Sequence, residues 1–339
     1  MKLRSIIIIV IVFAIVVAFT LLFDFRQQIY QKSIDISEDR SFYIQKGDSL
    51  IQILENMHNE QILQPYQGIA PLHWYIALYI YLAQTSAGQI KAGEYLLKPN
   101  MKFRQFLDNA FSGQVLQRKF SIIEGYTLRQ ILEAMQAVPS INVATTDYSD
   151  ISDRLGISQP SPEGLIFPDT YYYIKGSDAL DLLQQGYDKM QATLAEAWQA
   201  RDLRIPLTSP YEALILASIV EKEAAIATER PLVAGVFISR LTKNMPLQAD
   251  PTVIYGLGNR FDGNLRSRDL KEKQPYNSYI YKGLPPTPIA MPSLSSITAV
   301  MNPTLSDYLY FVAKGDGSHH FSETYEDHLK AVRKYQLKR

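Results

Sequence analysis

The chain has 339 residues, 47% of them apolar, which is enough for two domains with packed cores and excludes disorder as its main state. Lys and Arg number 34 and so do Asp and Glu, so the charge excess with which proteins grip a polyanion is missing and nucleic acid is not an expected partner. With no cysteine there is no disulfide, thiolate metal site, iron–sulfur cluster or cysteine nucleophile.

Ile6 to Phe23 carries no charge and spans about 27 Å as a helix, close to the hydrocarbon thickness of a bilayer. It reads as a membrane helix or a signal peptide. Leu21, Leu22, Phe23, Asp24, Phe25 and Arg26 offer no small-x-small cleavage site, which favours an uncleaved anchor over residues 1–25. Lys2 and Arg4 precede the run, so the positive-inside rule leaves the amino end in the cytoplasm and the rest outside. Residues 26–40 are polar and aperiodic and read as a tether.

A compact module is expected over residues 41–117. Phe42, Tyr43 and Ile44 form a strand, Ser49 caps a helix carrying Leu50, Ile53, Leu54 and Met57, and a second helix runs through Trp74, Leu78, Tyr81 and Leu82. A strand at Glu94–Leu97 and a helix with Phe103, Phe106 and Leu107 complete it. The order strand, helix, helix, strand resembles the LysM-like module of cell-wall proteins, either binding glycan or serving as a spacer.

The large domain is expected over residues 118–339. Thr127 caps a helix to Met135, residues 136–162 form loops or short helices, and Leu165, Ile166 and Phe167 form a strand before the Pro168-Asp169 turn. Leu183, Tyr187, Met190, Leu194 and Trp198 make the core stripe of a helix over Leu180 to Ala200. The fold class is therefore α+β, helices on modest sheets behind an apolar amino-terminal helix.

The chemistry concentrates in Tyr211 to Arg230, a helix opened by Ser209-Pro210. Glu223 falls within about 20° of Leu216, and Glu221 projects roughly 200° away beside Leu214 and Ser218, so an almost wholly apolar helix carries two carboxylates. Burial raises a carboxyl's pKa, and a protonated carboxyl is the general acid that glycosidic cleavage needs. The alternative is a structural ion-pair network with Lys222, Arg230 or Arg240. Downstream, Gln248, Asp250 and Thr252 flank an Asp-Pro turn, and Tyr276, Asn277 and Tyr279 sit in a Pro- and Tyr-rich irregular segment. Aromatic faces beside amides and carboxylates suit sugar rings. His319, His320 and His328 match no metal-ligand spacing, and P-loop, Gly-x-Ser-x-Gly and dinucleotide fingerprints are missing, so no metal and no cofactor are expected.

The stretches IVEKEAAIATERPLVAGVFISRLTKNMPLQADPTVIYGLG, PYNSYIYKGLPPTPI, YLYFVA and GSHHFS, with EGLIFPDTY upstream, resemble in this order the endolytic murein transglycosylase family (MltG, or YceG-like). The resemblance implies a lytic transglycosylase, a lyase that cuts peptidoglycan glycan strands internally at the MurNAc-GlcNAc β-1,4 bond and leaves 1,6-anhydroMurNAc ends. It implies Glu223, the second Glu of Glu-Lys-Glu, as the catalytic acid. Glu221, Gln248, Asp250, Thr252, Tyr276, Asn277, Tyr279 and His319 are candidates for binding or stabilising the substrate, with a structural turn as the alternative for Asp250. It further implies a single-pass inner-membrane protein anchored through residues 6–23, with a periplasmic catalytic domain and glycan polymerases or penicillin-binding proteins as partners. Two other readings stay open: a non-catalytic peptidoglycan-binding scaffold, and a muramidase-type hydrolase.

Overall fold

The computed structural model describes residues 2–64, 66–82 and 90–337. The chain divides into two compact units, Met1–Arg118 and Lys119–Arg339.

In the first unit, α1 (Lys2–Arg26) continues into one π-helical turn at Gln27–Gln31. There follow β1 (Arg40–Ile44), α2 (Leu50–Asn59), α3 (Leu72–Leu82), β2 (Gly93–Leu97) and α4 (Phe103–Ser112). β1 and β2 pair antiparallel, with Phe42 opposite Tyr95. The expected start of α2 is found: Ser49 accepts from the Gln52 amide while the Gln52 side chain accepts from the Ser49 amide, a reciprocal capping box. The core gathers Phe42, Ile53, Met57, Ile76, Tyr95, Leu97, Phe103 and Phe106.

One expectation fails here, and the expected second helix, found as α3, turns a face inward that the sequence left open. The segment over residues 26–40 has apolar residues to bury, because Ile29 and Ile34 enter this core together with Phe25. Two isoleucines in a π turn and an irregular stretch follow neither the helical nor the strand period, so the pattern hid them. In α3 the buried residues are Leu72, Tyr75, Ile76 and Tyr79, whereas Trp74, Leu78, Tyr81 and Leu82 point outward. A helix apolar on all sides gives no signal of which face turns inward.

The second unit comprises β3 (Arg118–Ser121), α5 (Leu128–Gln136), β4 (Ile141–Asn142), α6 (Tyr148–Leu155), β5 (Thr170–Tyr173), β6 (Ser177–Asp178) and α7 (Ala179–Gln199). After these come α8 (Pro210–Glu223), α9 (Arg230–Thr242), α10 (Asp250–Leu257), α11 (Leu294–Met301), β7 (Tyr310–Ala313), β8 (His319–Ser322) and α12 (Tyr325–Tyr335). Its sheets are two-stranded pairs: β3 with β5, β4 parallel to β6, and β7 antiparallel to β8. Helices carry the architecture. One core cluster surrounds α8 with α9 and α11, and a second lies among α5, α6, β5 and the start of α7.

Leu165, Ile166 and Phe167 are buried but are not the expected strand, which begins at Thr170. Gly164 has φ +78° and Pro168 lacks an amide, so the run is bounded by two breaks, and the Phe167 amide donates instead to the Gly186 carbonyl at 3.0 Å. Helix α8 also stops at Glu223 and does not reach Arg230, since Ala224 is extended.

Candidate active site

Every residue of α8 from Ala213 to Val220 is buried, so the helix is a central strut whose last turn presents three consecutive polar residues in different directions. Lys222 is exposed and donates to the Gly125 carbonyl at 3.1 Å. Glu221 turns inward, its side chain only 6% exposed, and accepts from Arg230 Nη2 (3.0 Å), the Ser293 amide (2.9 Å), Ser293 Oγ (2.5 Å) and Ser296 Oγ (2.6 Å). Ser293 caps α11, so Glu221 fastens α8 to the start of α11. For Glu221 the structural network foreseen as an alternative is what the geometry contains.

Glu223 differs. Among the described residues no donor reaches its carboxyl, which lines a cavity of about 430 Å³ with Arg240, Gln248, Asp250, Tyr279, Tyr310, His319 and His328. Burial, and secondarily the negative charge of Asp250, push its pKa up to about 8, with Arg240 opposing. Its place at the carboxyl end of α8 works in the same direction, because unpaired carbonyls there disfavour an anion.

Asp250 stands at the opposite kind of helix end. It is the first residue of α10, where free amides favour a carboxylate, and its Oδ1 accepts from Tyr279 Oη at 2.5 Å. The Asp-Pro pair is thus a helix start with Pro251 in the first turn. Two carboxyls thus share one cavity, one at the carboxyl end of a helix and the other at the amino end of another.

The remaining wall is pinned from behind. Gln248 has φ +53°, unusual for a residue with a side chain, and is held there by its amide to the Ser278 carbonyl (3.0 Å) and its Oε1 to Arg240 Nη1 (3.1 Å). Arg240 also donates to the carbonyls of Leu309 (2.7 Å) and Leu247 (2.8 Å), tying α9 to both rims. His319 Nδ1 lies 2.8 Å from Glu229 Oε2, which places a ring proton on Nδ1 and fixes the orientation of the ring. His328 stacks on Tyr310 at 5.3 Å, and burial lowers its pKa, so its ring is neutral near pH 7. His320 instead packs on Tyr335.

Glu223, Gln248, Asp250, Tyr279 and His319 are therefore brought together, whereas Glu221, Thr252, Tyr276 and Asn277 lie outside this cavity. Thr252 is fully buried and donates to the Ala249 carbonyl (2.7 Å). The Tyr276 hydroxyl meets Thr287 Oγ1 (2.8 Å). Asn277, also fully buried, gives its amide to the carbonyls of Leu270 and Glu272 and accepts from the Tyr279 amide (3.0 Å), so it shapes the turn that presents Tyr279. Sequence reasoning passed over Arg240 as a wall residue, although a charge amid the buried apolar positions of α9 is a readable signal.

A second carboxyl, Glu163, has its pKa pushed up to about 7 by burial. It borders a separate cavity of about 530 Å³ with Thr127, Arg129, Tyr148 and Tyr255. Its oxygens accept from the Leu128 amide (2.9 Å) and the Tyr255 hydroxyl (3.1 Å), so it anchors the first turn of α5. A saturated carboxyl of this kind holds structure; the unsaturated Glu223 has its proton free.

The family model described as YceG-like matches residues 42–334. A Bacillus subtilis protein named endolytic murein transglycosylase is 31% identical over 278 residues, covering 76% of this chain and 77% of that protein. A Streptococcus pneumoniae protein of the same name is 29% identical over 279 residues, 72% of this chain, which spans only half of that longer relative. A YceG-like protein of known crystal structure from Listeria monocytogenes superposes with a TM-score of 0.54 at 29% identity, over 86% of this chain and 98% of its own. On the extent of the family match and of the Bacillus alignment, the chain belongs to the YceG-like family.

Proposed function

We propose that this protein is an endolytic murein transglycosylase, a lyase acting on peptidoglycan glycan strands, with Glu223 as its single acid–base catalyst. The observation that carries the assignment is an undonated carboxyl, pushed up to about 8, facing a cavity at the end of a rigid helix.

Protonated Glu223 delivers its proton to the glycosidic oxygen as the C1–O bond of the muramoyl residue breaks. The resulting carboxylate then accepts the proton of the muramoyl C6 hydroxyl while that oxygen bonds to C1. The strand is cut, a 1,6-anhydro ring closes one end, and Glu223 is again protonated. The nucleophile belongs to the substrate and is already close, so the step needs no activated water. Asp250, at the start of α10 and oriented by Tyr279, stabilises the positive charge that develops at C1. Gln248 and His319 Nε2 supply polar contacts along the wall, and Glu221, Thr252, Tyr276 and Asn277 position the elements that carry the cleft.

Residues 118–339 act as the catalytic domain, and residues 41–117, in their β1-α2-α3-β2 order, as a LysM-like module. The helix α1 anchors the protein in the inner membrane with its amino end in the cytoplasm and the cleft in the periplasm. This puts the chemistry where glycan polymerases and penicillin-binding proteins extend strands.

The test is to incubate the protein with uncrosslinked glycan strands and identify the new termini by mass spectrometry. Anhydro ends from the wild type and none from Glu223→Gln are expected. Reducing ends would make the protein a hydrolase, and intact strands from a folded, glycan-binding wild type would make it a scaffold.

A further inference from the structure

Helix α3 is apolar on both faces, and only one is covered by the described residues of the first unit. Trp74 (62% exposed), Leu78, Tyr81 (80%) and Leu82 fall at positions i, i+4, i+7 and i+8, a single stripe on the outer side, and Ile69 (62%) precedes them in the loop that leads into the helix. The location of this stripe gives it a meaning. Asp24 is the first residue beyond the uncharged run of α1, and its Oδ2 accepts from the Ile69 amide at 2.7 Å and from the Tyr75 hydroxyl at 2.8 Å. The Phe25 ring meets Tyr75 edge-on at 5.8 Å, and Tyr30 meets Tyr79 at 6.1 Å. Helix α3 is thus bolted alongside the chain where it leaves the apolar span, its amino-terminal end level with Asp24.

If α1 spans a bilayer, Asp24 lies at the edge of the hydrocarbon, and the headgroup zone extends about 5–7 Å further. The Ile69 amide and the Tyr75 hydroxyl, both within hydrogen-bond reach of Asp24, fall inside that zone, and Trp74 precedes Tyr75 in the first turn of α3. Trp and Tyr are the side chains that favour this layer, where a ring can bury its apolar body and keep its polar edge wet. The apolar stripe has no other cover among the described residues, and the lipid surface is already present at its lower end.

We propose that Ile69 and Trp74, with the α3 stripe above them, form an interfacial foot that rests in the headgroup layer of the same bilayer that α1 spans. The inference rests on the reading of α1 as a membrane anchor. The foot would fix the first unit against the membrane surface, where a single helix alone leaves it free to swivel.

The chain has two tryptophans, so Trp198→Phe leaves Trp74 as the sole tryptophan, excited selectively at wavelengths where tyrosine does not absorb. The full-length variant is reconstituted into vesicles whose lipids carry bromine at shallow or deep positions along the acyl chain. Flotation with the vesicles tests the anchor, and quenching tests the foot. Expected are a blue-shifted emission maximum and a loss of intensity that is larger with shallow than with deep bromines, both reversed by adding Ile69→Glu. Protein that floats but shows no bromine quenching overturns the proposal, as does Trp74 shielded from an aqueous quencher yet untouched by bromine, which would place a second copy or another protein on the stripe. Because the chain lacks cysteine, Trp74→Cys carrying a nitroxide gives the same depth reading without altering Trp198.

Discussion

Glu223 and Glu163 are both carboxyls lifted out of their ordinary range by burial, and their difference shows what a catalytic acid needs beyond a shifted pKa. Glu223 must be protonated to work, so the rate is expected to hold below its pKa and fall as pH rises through about 8, as a pH profile of kcat/KM on glycan strands would show. Glu223→Gln should lose about 10²–10⁴-fold in rate, the usual worth of general acid–base catalysis, with unfolding unimpaired. Asp250→Asn should lower kcat by about 10²-fold with little change in KM, because its charge is used at the transition state. For Glu163 the consequence is one of stability. Its folded-state pKa is raised, so between about 4.5 and about 7 the folded chain binds a proton that the unfolded chain has released, and stability declines as pH rises across that window. The decline is about 3 kcal/mol at most. Glu163→Gln keeps an acceptor for the Leu128 amide and should flatten the dependence of Tm on pH.

Among the elements, the join between α8 and α11 decides whether the acid is aimed. Glu221 accepts four hydrogen bonds there, so Glu221→Ala leaves Arg230 buried without its carboxylate and should cost about 3–5 kcal/mol in urea unfolding. Glu221→Gln should cost less and keep measurable activity. The elements legible in the sequence were those with local chemistry at their ends: Ser49 and Thr127 form the capping boxes their spacing announces, and Ser209-Pro210 opens α8. What was not legible depends on partners far along the chain. The irregular run at Leu165–Phe167 donates its hydrogen bond to α7, and the inward face of α3 is chosen by Phe25 and Tyr30. The site shows the same division. Glu223 could be singled out from the helical face, but separating it from Glu221 required Ser293 and Ser296, and the wall role of Arg240 required the carbonyls of Leu247 and Leu309.

At the scale of the whole molecule, each unit has its own core, so chemistry and attachment are separable. Removing residues 1–23 should release the protein from vesicles in a flotation assay and still leave a chain that makes anhydro ends, since among the described residues those lining the Glu223 cavity all belong to the second unit. The second unit closes through its irregular carboxyl-terminal strap: the Gly125 amide donates to the Met291 carbonyl and the Met291 amide to the Tyr126 carbonyl, both at 2.8 Å, joining the unit's first turn to a segment near the end of the chain. The wall of the cleft includes β7, β8 and α12, all beyond Met291, so Glu223 gains its cavity only when these late elements have folded back onto the end of α8.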